Sequence, residues 1–140
     1  MNNFIPENEY IKIIKSIPIF CIDFLIEYEN KYLLIKRSEE PVKGVYWVVG
    51  GRLRFKETVD QFAVRVQTRE IGRYFDNRKL IAFSNYFFPE GPNSRATHTP
   101  SLLYLVKSNK MFVPKIDETS TDYIWTKDLP EELVKQTQFI

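Results

Sequence analysis

Several kinds of residue and segment are scarce in this chain of 140 residues, and each scarcity narrows what the protein can be. There is one cysteine, Cys21, so an intrachain disulfide is ruled out. Its place in the apolar run IPIFCIDFLI predicts a core position rather than a reactive thiol. No apolar run approaches the roughly 20 residues that span a bilayer, and the first residues, MNNFIPENEY, do not have the pattern of a secretory signal. We therefore expect a cytoplasmic protein without membrane contact.

An excess of charge of one sign is also missing. The 20 basic and 18 acidic side chains leave a net charge of +2, which is too small to indicate nucleic acid as a partner. The basic residues are scattered and form no nucleic-acid-binding motif. A chain of this length is expected to form a single domain, residues 1–140, and to bury about two-thirds of the surface that its unfolded form exposes.

The most informative segment is GGRLRFKETVDQFAVRVQTREIG, residues 50–72. Thr58, with a glutamine three residues later, is typical of a capping box, and Gly72 suits the left-handed position just after a helix. The preceding VYWVVGG is apolar and favours a strand. The segment therefore predicts a strand, a Gly-Gly loop and then a helix with an apolar stripe, formed by Val59, Phe62, Ala63 and Val66.

A glutamate, Glu70, lies within that apolar stripe. Burying an unpaired carboxylate costs several kcal/mol, so this side chain needs a cation. Arg65, on one border of the stripe, is one candidate, and a divalent metal ion is the other.

This spacing resembles the box of the Nudix hydrolases, a glycine, five residues, a glutamate, seven residues and then Arg-Glu-x-x-Glu-Glu-x-Gly. Five residues match in register: Gly51, Glu57, Arg65, Glu70 and Gly72. Of these, Arg65 and Glu57 are expected to form an internal ion pair that shapes the loop of the box, a structural role. Val66 and Arg69 stand where the family usually has two further glutamates, which indicates fewer metal ions. A chance spacing in an unrelated α/β domain would not explain the carboxylate on the apolar face.

The rest of the chain alternates between strand and helix patterns. Helices are predicted over residues 6–15 and Pro130–Gln136, and strands over Ile17–Tyr28, Lys31–Arg37, Lys79–Pro89, Thr97–Ser108 and Asp122–Thr126. Glu29-Asn30 and EGPNSRA are expected to be turns. This order predicts an α+β fold. It agrees with the Nudix-type α/β/α sandwich that the resemblance implies, with a mixed sheet and a central Nudix helix.

Most of the chain is similar to one divergent branch of that family, the GDP-mannose mannosyl hydrolases. The matching pieces are SIPIFCIDFLIE, YLLIKR, GVYWVVGGR, VRVQTREIG, THT and DETSTDYIW. The resemblance implies that water attacks the anomeric carbon of a nucleotide sugar such as GDP-mannose and releases GDP and free sugar. One Mg²⁺ on the diphosphate would suffice, because the leaving group needs its charge neutralised. The branch also implies a homodimer.

Only some of the metal ligands of the branch, and not its general base, have matching residues in this chain. The Gly50 carbonyl and Glu70 match two of its three metal ligands, and oxygen donors suit Mg²⁺. The third ligand aligns with Thr119. The general base, a histidine, aligns with Ser120, and losing a positioned base typically costs 10²–10⁴-fold in rate.

Other side chains could supply the missing chemistry. His98 is the only histidine, and it either helps to orient the substrate, replaces the base, or has no catalytic task. Asp117, Glu118 and Asp122 flank the lost base and either hold a water or the metal, or form a solvated turn.

The resemblance also implies a recognition surface. Arg37 and Arg52 match residues that contact nucleotide and diphosphate, and guanidinium groups bind phosphate oxygens bidentately. An ordinary surface arginine is the alternative for each. Asp23 matches an aspartate that contacts the sugar, although a cavity-lining charge without a task is the alternative.

The N-terminal segment matches the arm that holds the guanine base. The residues concerned are Phe4, Ile5 and Tyr10. A frayed terminus is an equally ordinary interpretation. A tyrosine of the branch that contacts diphosphate aligns with Thr99.

These observations favour a Mg²⁺-dependent hydrolase of nucleotide sugars. A catalytically weak domain that binds a nucleotide sugar, as a sensor or partner in polysaccharide synthesis, is the alternative. An ordinary Nudix pyrophosphatase is a third possibility, against which Val66 and Arg69 argue.

Overall fold

The computed structural model describes residues 5–38, 43–89 and 96–140. The strands in these ranges form one mixed sheet of eight strands. The elements in chain order are α1 (Glu7–Ser16), β1 (Cys21–Tyr28), β2 (Lys31–Arg37), β3 (Tyr46–Trp47), β4 (Val49–Arg52), α2 (Val59–Ile71), β5 (Lys79–Phe88), β6 (Thr97–Lys107), β7 (Ser120–Thr126), α3 (Glu131–Lys135) and β8 (Thr137–Phe139). Within the described ranges, no helix combines the length and the apolarity needed to cross a membrane.

Strand β1 is the centre of the sheet. It pairs in parallel with β6 and antiparallel with two other strands, its first half with β4 and its second half with β2. The turn from β1 to β2 has positive φ at both Glu29 and Asn30, as a two-residue hairpin requires. Because β4 lies against the first half of β1, Gly50 is placed directly opposite Asp23.

The sheet has an apolar core on each face. Ile22 and Phe24 of β1 belong to a core with Phe62 and Val66 of α2. Leu25 of β1 belongs to a second core, which is shared with Trp47, Tyr86 and Leu133 of α3. Successive residues of a strand point to opposite faces, so one strand serves both cores. The predicted α+β sandwich is confirmed.

Helix α2 has the predicted ends. Thr58 Oγ1 accepts from the Gln61 backbone N–H at 3.1 Å, and Gln61 Oε1 accepts from the Thr58 N–H at 3.0 Å, which completes the capping box. Gly72 ends the helix with φ of 74°. Glu70 is buried on the apolar side with 2% of its surface exposed, so the prediction from the helical stripe is confirmed.

Three element predictions differ from the structure. The first strand begins at Cys21 rather than Ile17, after Pro18, which has no N–H to donate to a ladder. The segment VYWVVGG forms two short strands, β3 and β4, and β8 was not predicted because three residues are too few to show a pattern. The predicted turn EGPNSRA lies outside the described residues except for Ala96.

Candidate functional site

A pocket opens where the first half of β1 meets β4 and β6. It contains a carboxylate, two guanidinium groups and four aromatic rings, on Asp23, Arg37, Arg52, Tyr10, Trp47, Tyr86 and Phe88. Cys21, Gly50, Gly51, Thr97 and Thr99 complete the polar and small part of its wall, and Ile19 and Val48 the apolar part. The pocket therefore brings together five residues predicted for the site: Tyr10, Asp23, Arg37, Gly50 and Arg52.

Asp23 is the only carboxylate among the described residues of the pocket wall. It is 6% exposed, and Ser101 Oγ donates to its Oδ2 at 2.7 Å. Burial raises the pKa of Asp23 to about 7, although the Ser101 hydrogen bond and the Arg37 charge oppose the rise. The carboxyl group can therefore gain or lose a proton near neutral pH.

Glu70 lies behind the same glycine loop. Its Oε2 accepts from the Gly50 N–H at 3.0 Å, so the Gly50 backbone meets this carboxylate through its amide. Burial raises the pKa of Glu70 to about 7, against the opposing charges of Arg69 and Arg37 and the Gly50 hydrogen bond. The Arg37 charge lowers the pKa of both Asp23 and Glu70.

The cation beside Glu70 is Arg69, and neither Arg65 nor a metal ion had to be invoked to neutralise this carboxylate. Its Nη2 lies 3.6 Å from Glu70 Oε1, and its Nε lies 3.8 Å from Asp117 Oδ2. The side chain is 42% exposed and extends toward Gly51, where an added Cβ would lie 3.9 Å from Nη2. Arg69 thus connects two carboxylates at the edge of the pocket.

Arg65 has a different partner. Its Nε and Nη2 donate to the two oxygens of Glu57 at 2.7 and 2.8 Å, and its Nη2 also donates to the Arg52 carbonyl at 3.3 Å. The hydrogen bonds from Arg65 lower the pKa of Glu57. The suggestion that Arg65 neutralises Glu70 is therefore wrong, whereas the expected ion pair between Glu57 and Arg65 is present. Its hydrogen bond to the Arg52 carbonyl joins this pair to the end of β4.

The aromatic side of the pocket is built from several elements. The Arg52 guanidinium lies 5.9 Å from the centroid of the Tyr10 ring, which places the end of β4 against α1. On the opposite wall the Trp47 ring packs edge-on against Tyr86 at 5.5 Å and Phe88 at 6.0 Å. The result is an apolar surface facing two arginines.

His98 does not line this pocket. Thr97 and Thr99 do, and alternation along β6 turns His98 to the other face. There it lines a second cavity, its Nε2 lies 2.6 Å from Asn85 Oδ1, and its ring stacks on Phe87 at a centroid distance of 4.4 Å. The hydroxyls of Thr97 and Thr99 have no hydrogen-bond partner among the described residues.

Thr119 and Ser120 align with the third metal ligand and the general base of the branch. Thr119 is held by hydrogen bonds within its own segment. Asp117 Oδ1 accepts from the Thr119 N–H at 3.0 Å and from its hydroxyl at 2.5 Å. Ser120 is buried, and its hydroxyl meets no partner in the described part of the chain. Asp122 is exposed and accepts from the Tyr46 hydroxyl at 2.8 Å, so only Asp117 of the acidic group approaches Arg69.

Three other predicted positions fall outside the pocket or differ from expectation. Phe4 lies outside the described residues, and Ile5 is half-buried but not part of the pocket wall. Cys21 is half-buried and lines the pocket, so the prediction of a core position is wrong. Burial raises the pKa of the Cys21 thiol to about 12, which keeps it protonated and unreactive.

The donor set does not favour a resident divalent ion. Within the described ranges, no group of three His, Cys, Asp or Glu side chains is arranged to hold a metal. Glu70, the one predicted side-chain ligand, gives one oxygen to the Gly50 N–H and faces Arg69 with the other. A positively charged guanidinium at this distance competes directly with a metal ion.

Sequence reasoning missed some of the pocket. Trp47, Tyr86, Phe88 and Ser101 come from three different strands, and no local pattern joins them. The one available signal was the alternation of β5, which puts Ser84, Tyr86 and Phe88 on one face.

Comparison with solved structures identifies the architecture. The chain superposes on a MutT Nudix hydrolase from Burkholderia pseudomallei with a TM-score of 0.69 and 23% identity, covering 84% of this chain and 91% of that one. It superposes on the Nudix domain of Shewanella oneidensis NrtR, solved with ADP-ribose, with a TM-score of 0.65 and 14% identity over 94% of each chain. The chain has the Nudix fold.

Sequence comparison finds two partial matches. The chain is 34% identical over 68 residues to the low-salt glycan biosynthesis protein Agl8 of Haloferax volcanii, a match over 49% of this chain and 44% of that protein. It is 42% identical over 55 residues to the ADP-ribose pyrophosphatase of Methanocaldococcus jannaschii, over 39% of this chain and 32% of that protein. The matches therefore span less than half of either relative. No description of a known protein family matches the chain.

Proposed function

We propose that this protein binds a nucleoside diphosphate sugar in the pocket and hydrolyses it at the anomeric carbon. One observation carries the proposal: a single pocket holds a buried carboxylate, Asp23, two guanidinium groups, Arg37 and Arg52, and a wall of aromatic rings. Guanidinium groups bind diphosphate, and a carboxylate binds sugar hydroxyls. The partial matches to a glycan-biosynthesis protein and an ADP-ribose pyrophosphatase support a sugar nucleotide as the ligand class.

The volume of the pocket supports one arrangement of such a ligand. The pocket volume is about 220 Å³, below the roughly 300–1,000 Å³ of sites that enclose a whole drug-sized ligand. It would therefore enclose the sugar and diphosphate, beside Asp23 and the two arginines. The base would lie toward the aromatic ring of Tyr10, on the α1 side. GDP-mannose, which the sequence resemblance implies, and ADP-ribose are both candidates.

In this proposal the Asp23 carboxylate is also the group that activates water. Water attacks carbon 1, the bond from that carbon to the β-phosphate oxygen breaks, the diphosphate leaves with the electron pair, and the water proton passes to the Asp23 carboxylate. A pKa of about 7 suits a base that works near neutral pH. His98 is not part of this pocket and lines the second cavity, which argues against it as the base.

Product analysis tests the proposal. Purified protein is incubated with GDP-mannose and, separately, ADP-ribose, each with and without MgCl₂, and products are separated by anion-exchange chromatography. We expect GDP and free mannose. Nucleoside monophosphate with sugar phosphate would instead establish pyrophosphate cleavage. The homodimer and the cytoplasmic location stay predictions. The paired incubations test the Mg²⁺ dependence that the sequence resemblance implies, against a donor set that does not favour a resident ion.

Two substitutions separate the candidate bases. Asp23→Asn should lower turnover by about 10²–10⁴-fold, because the amide cannot accept the proton, while nucleotide binding in a thermal-shift assay persists. His98→Ala should leave turnover within about twofold of wild type. The reverse pattern would assign the base to His98.

A binding domain without turnover is the second candidate. It is favoured by the segment that aligns with the lost ligand and base, where Thr119 is bonded to Asp117 and the buried Ser120 hydroxyl has no hydrogen-bond partner among the described residues. Protection against heat by GDP-mannose without product would establish this function.

A further inference from the structure

We propose that the Arg69 guanidinium is the permanent cation of this site, in the place of a divalent metal ion. The site would then bind a diphosphate through the protein's own arginines, without metal. The part concerning the diphosphate rests on the proposed function, whereas the part concerning metal does not.

Each of the two carboxylates beside Arg69 accepts hydrogen bonds with one oxygen and faces Arg69 with the other. Glu70 gives Oε2 to the Gly50 N–H and faces Arg69 with Oε1 at 3.6 Å. Asp117 gives Oδ1 to the Thr119 N–H and hydroxyl and faces Arg69 with Oδ2 at 3.8 Å. The remaining oxygen of each carboxylate therefore points to one guanidinium group.

This arrangement leaves few carboxylate oxygens free to coordinate a metal ion. Mg²⁺ prefers about six oxygen ligands at 2.0–2.1 Å in near-octahedral geometry. Here two oxygens are committed to backbone or side-chain donors, and the other two share a positive charge that would repel a second cation. Mg²⁺ also gives up its hydration water reluctantly, whereas a guanidinium group is weakly hydrated.

Arg69 is continuous with the pocket. Its Nη2 lies close to Gly51, which lines the pocket with Arg37 and Arg52. The Arg37 charge, like that of Arg69, lowers the pKa of Glu70. Three arginines along one edge can neutralise the charge of a diphosphate and bind its oxygens in pairs.

Metal binding tests the inference directly. Mn²⁺ is titrated into the wild type, Arg69→Gln, Arg69→Lys and the control Lys127→Gln, which removes an exposed positive charge elsewhere, and free Mn²⁺ is followed by electron paramagnetic resonance. We expect Arg69→Gln to bind Mn²⁺ at least about tenfold more tightly than the wild type, because the competing charge is gone. Arg69→Lys and Lys127→Gln should resemble the wild type. Equal affinity in the wild type and Arg69→Gln would overturn the inference.

A second experiment measures the affinity of the protein for GDP by calorimetry, in buffer with EDTA and in buffer with MgCl₂. The wild type should bind equally in both, within about twofold, and Arg69→Gln should lose about tenfold in EDTA and regain it in MgCl₂. A wild type that binds GDP only with Mg²⁺ would also overturn the inference. If GDP, GDP-mannose and ADP-ribose all fail to bind in either buffer, the proposed function fails, and the Mn²⁺ titration alone decides the role of Arg69. Arg69 is surface-exposed, and circular dichroism would verify that each variant is folded.

Discussion

Gly50 and Gly51 are neighbours in the sequence, but their surroundings restrict them differently. A Cβ on Gly50 would fall on the Asp23 carboxylate and lie 2.6 Å from the Ile22 carbonyl oxygen and 2.9 Å from the Asp23 Cα. Two of these atoms are backbone in the central strand, which cannot move aside. A Cβ on Gly51 would meet only the end of the Arg69 side chain, at 3.9 Å.

Alanine should therefore change the free energy of unfolding much more at Gly50 than at Gly51. Gly50→Ala should lower the free energy of unfolding by about 3 kcal/mol or prevent folding, since overpacking against backbone forces the strands apart. Gly51→Ala, the matched control, should change it by less than about 0.5 kcal/mol. Urea unfolding followed by tryptophan fluorescence measures both. Equal losses would show that the glycine loop is restricted by something other than contact with β1.

The sequence also predicts where the Glu70 side chain lies, but not that Arg69 is the cation beside it. Helical periodicity is enough to put Glu70 on the apolar face of α2, where it is found. Arg69 is the next residue along the helix and is exposed, and periodicity separates it from Glu70 by 100°. Its contact with Asp117 depends on where the loop before β7 lies, which is a tertiary property.

At the scale of elements, the ends of α2 are set by local chemistry. Thr58→Ala should remove the side-chain cap of Gln61 and lower the free energy of unfolding by about 1 kcal/mol. Thr68→Ala, on the exposed face of the same helix, should be neutral or slightly stabilising, because alanine is the better helix former. Thermal unfolding of the two variants measures the difference, and a Thr58→Ala variant as stable as Thr68→Ala would contradict it.

Elements with a local signal were predicted well, and those that depend on partners were not. Helix α2 carries its own caps, and the hairpin after β1 carries its own turn residues. Strand β8 has three residues and exists because it pairs with Ala82–Ser84 of β5. The split of VYWVVGG into β3 and β4 likewise follows from pairing with two different strands, β2 and β1.

For the whole molecule, two buried carboxyl groups predict how stability varies with pH. Asp23 and Glu70 have pKa values raised to about 7 in the folded protein, above those of the exposed side chains in the unfolded chain. Between about pH 4 and pH 7 the folded state therefore binds more protons than the unfolded state. The free energy of unfolding should fall as pH rises through this range and level off above it.

Asp23→Asn should remove the Asp23 share of this pH dependence. Relative to the wild type, the variant should gain stability on going from pH 5 to pH 8, on the order of 3 kcal/mol for a shift of this size. Asp76→Asn, at an exposed position, serves as the control and should keep the wild-type profile. Urea unfolding at both pH values gives the result, and parallel profiles for Asp23→Asn and the wild type would show that Asp23 does not titrate in this range.

Helix α1 contributes Tyr10 to the pocket, yet none of its side chains is fully buried. Little apolar surface holds this helix, so its detachment should cost much less free energy than global unfolding. We therefore expect ligand escape to follow the opening of α1, which would make residence time a property of the helix as much as of the arginines. Hydrogen exchange should then be fast in the α1 amides of the free protein and slow once a nucleotide sugar is bound.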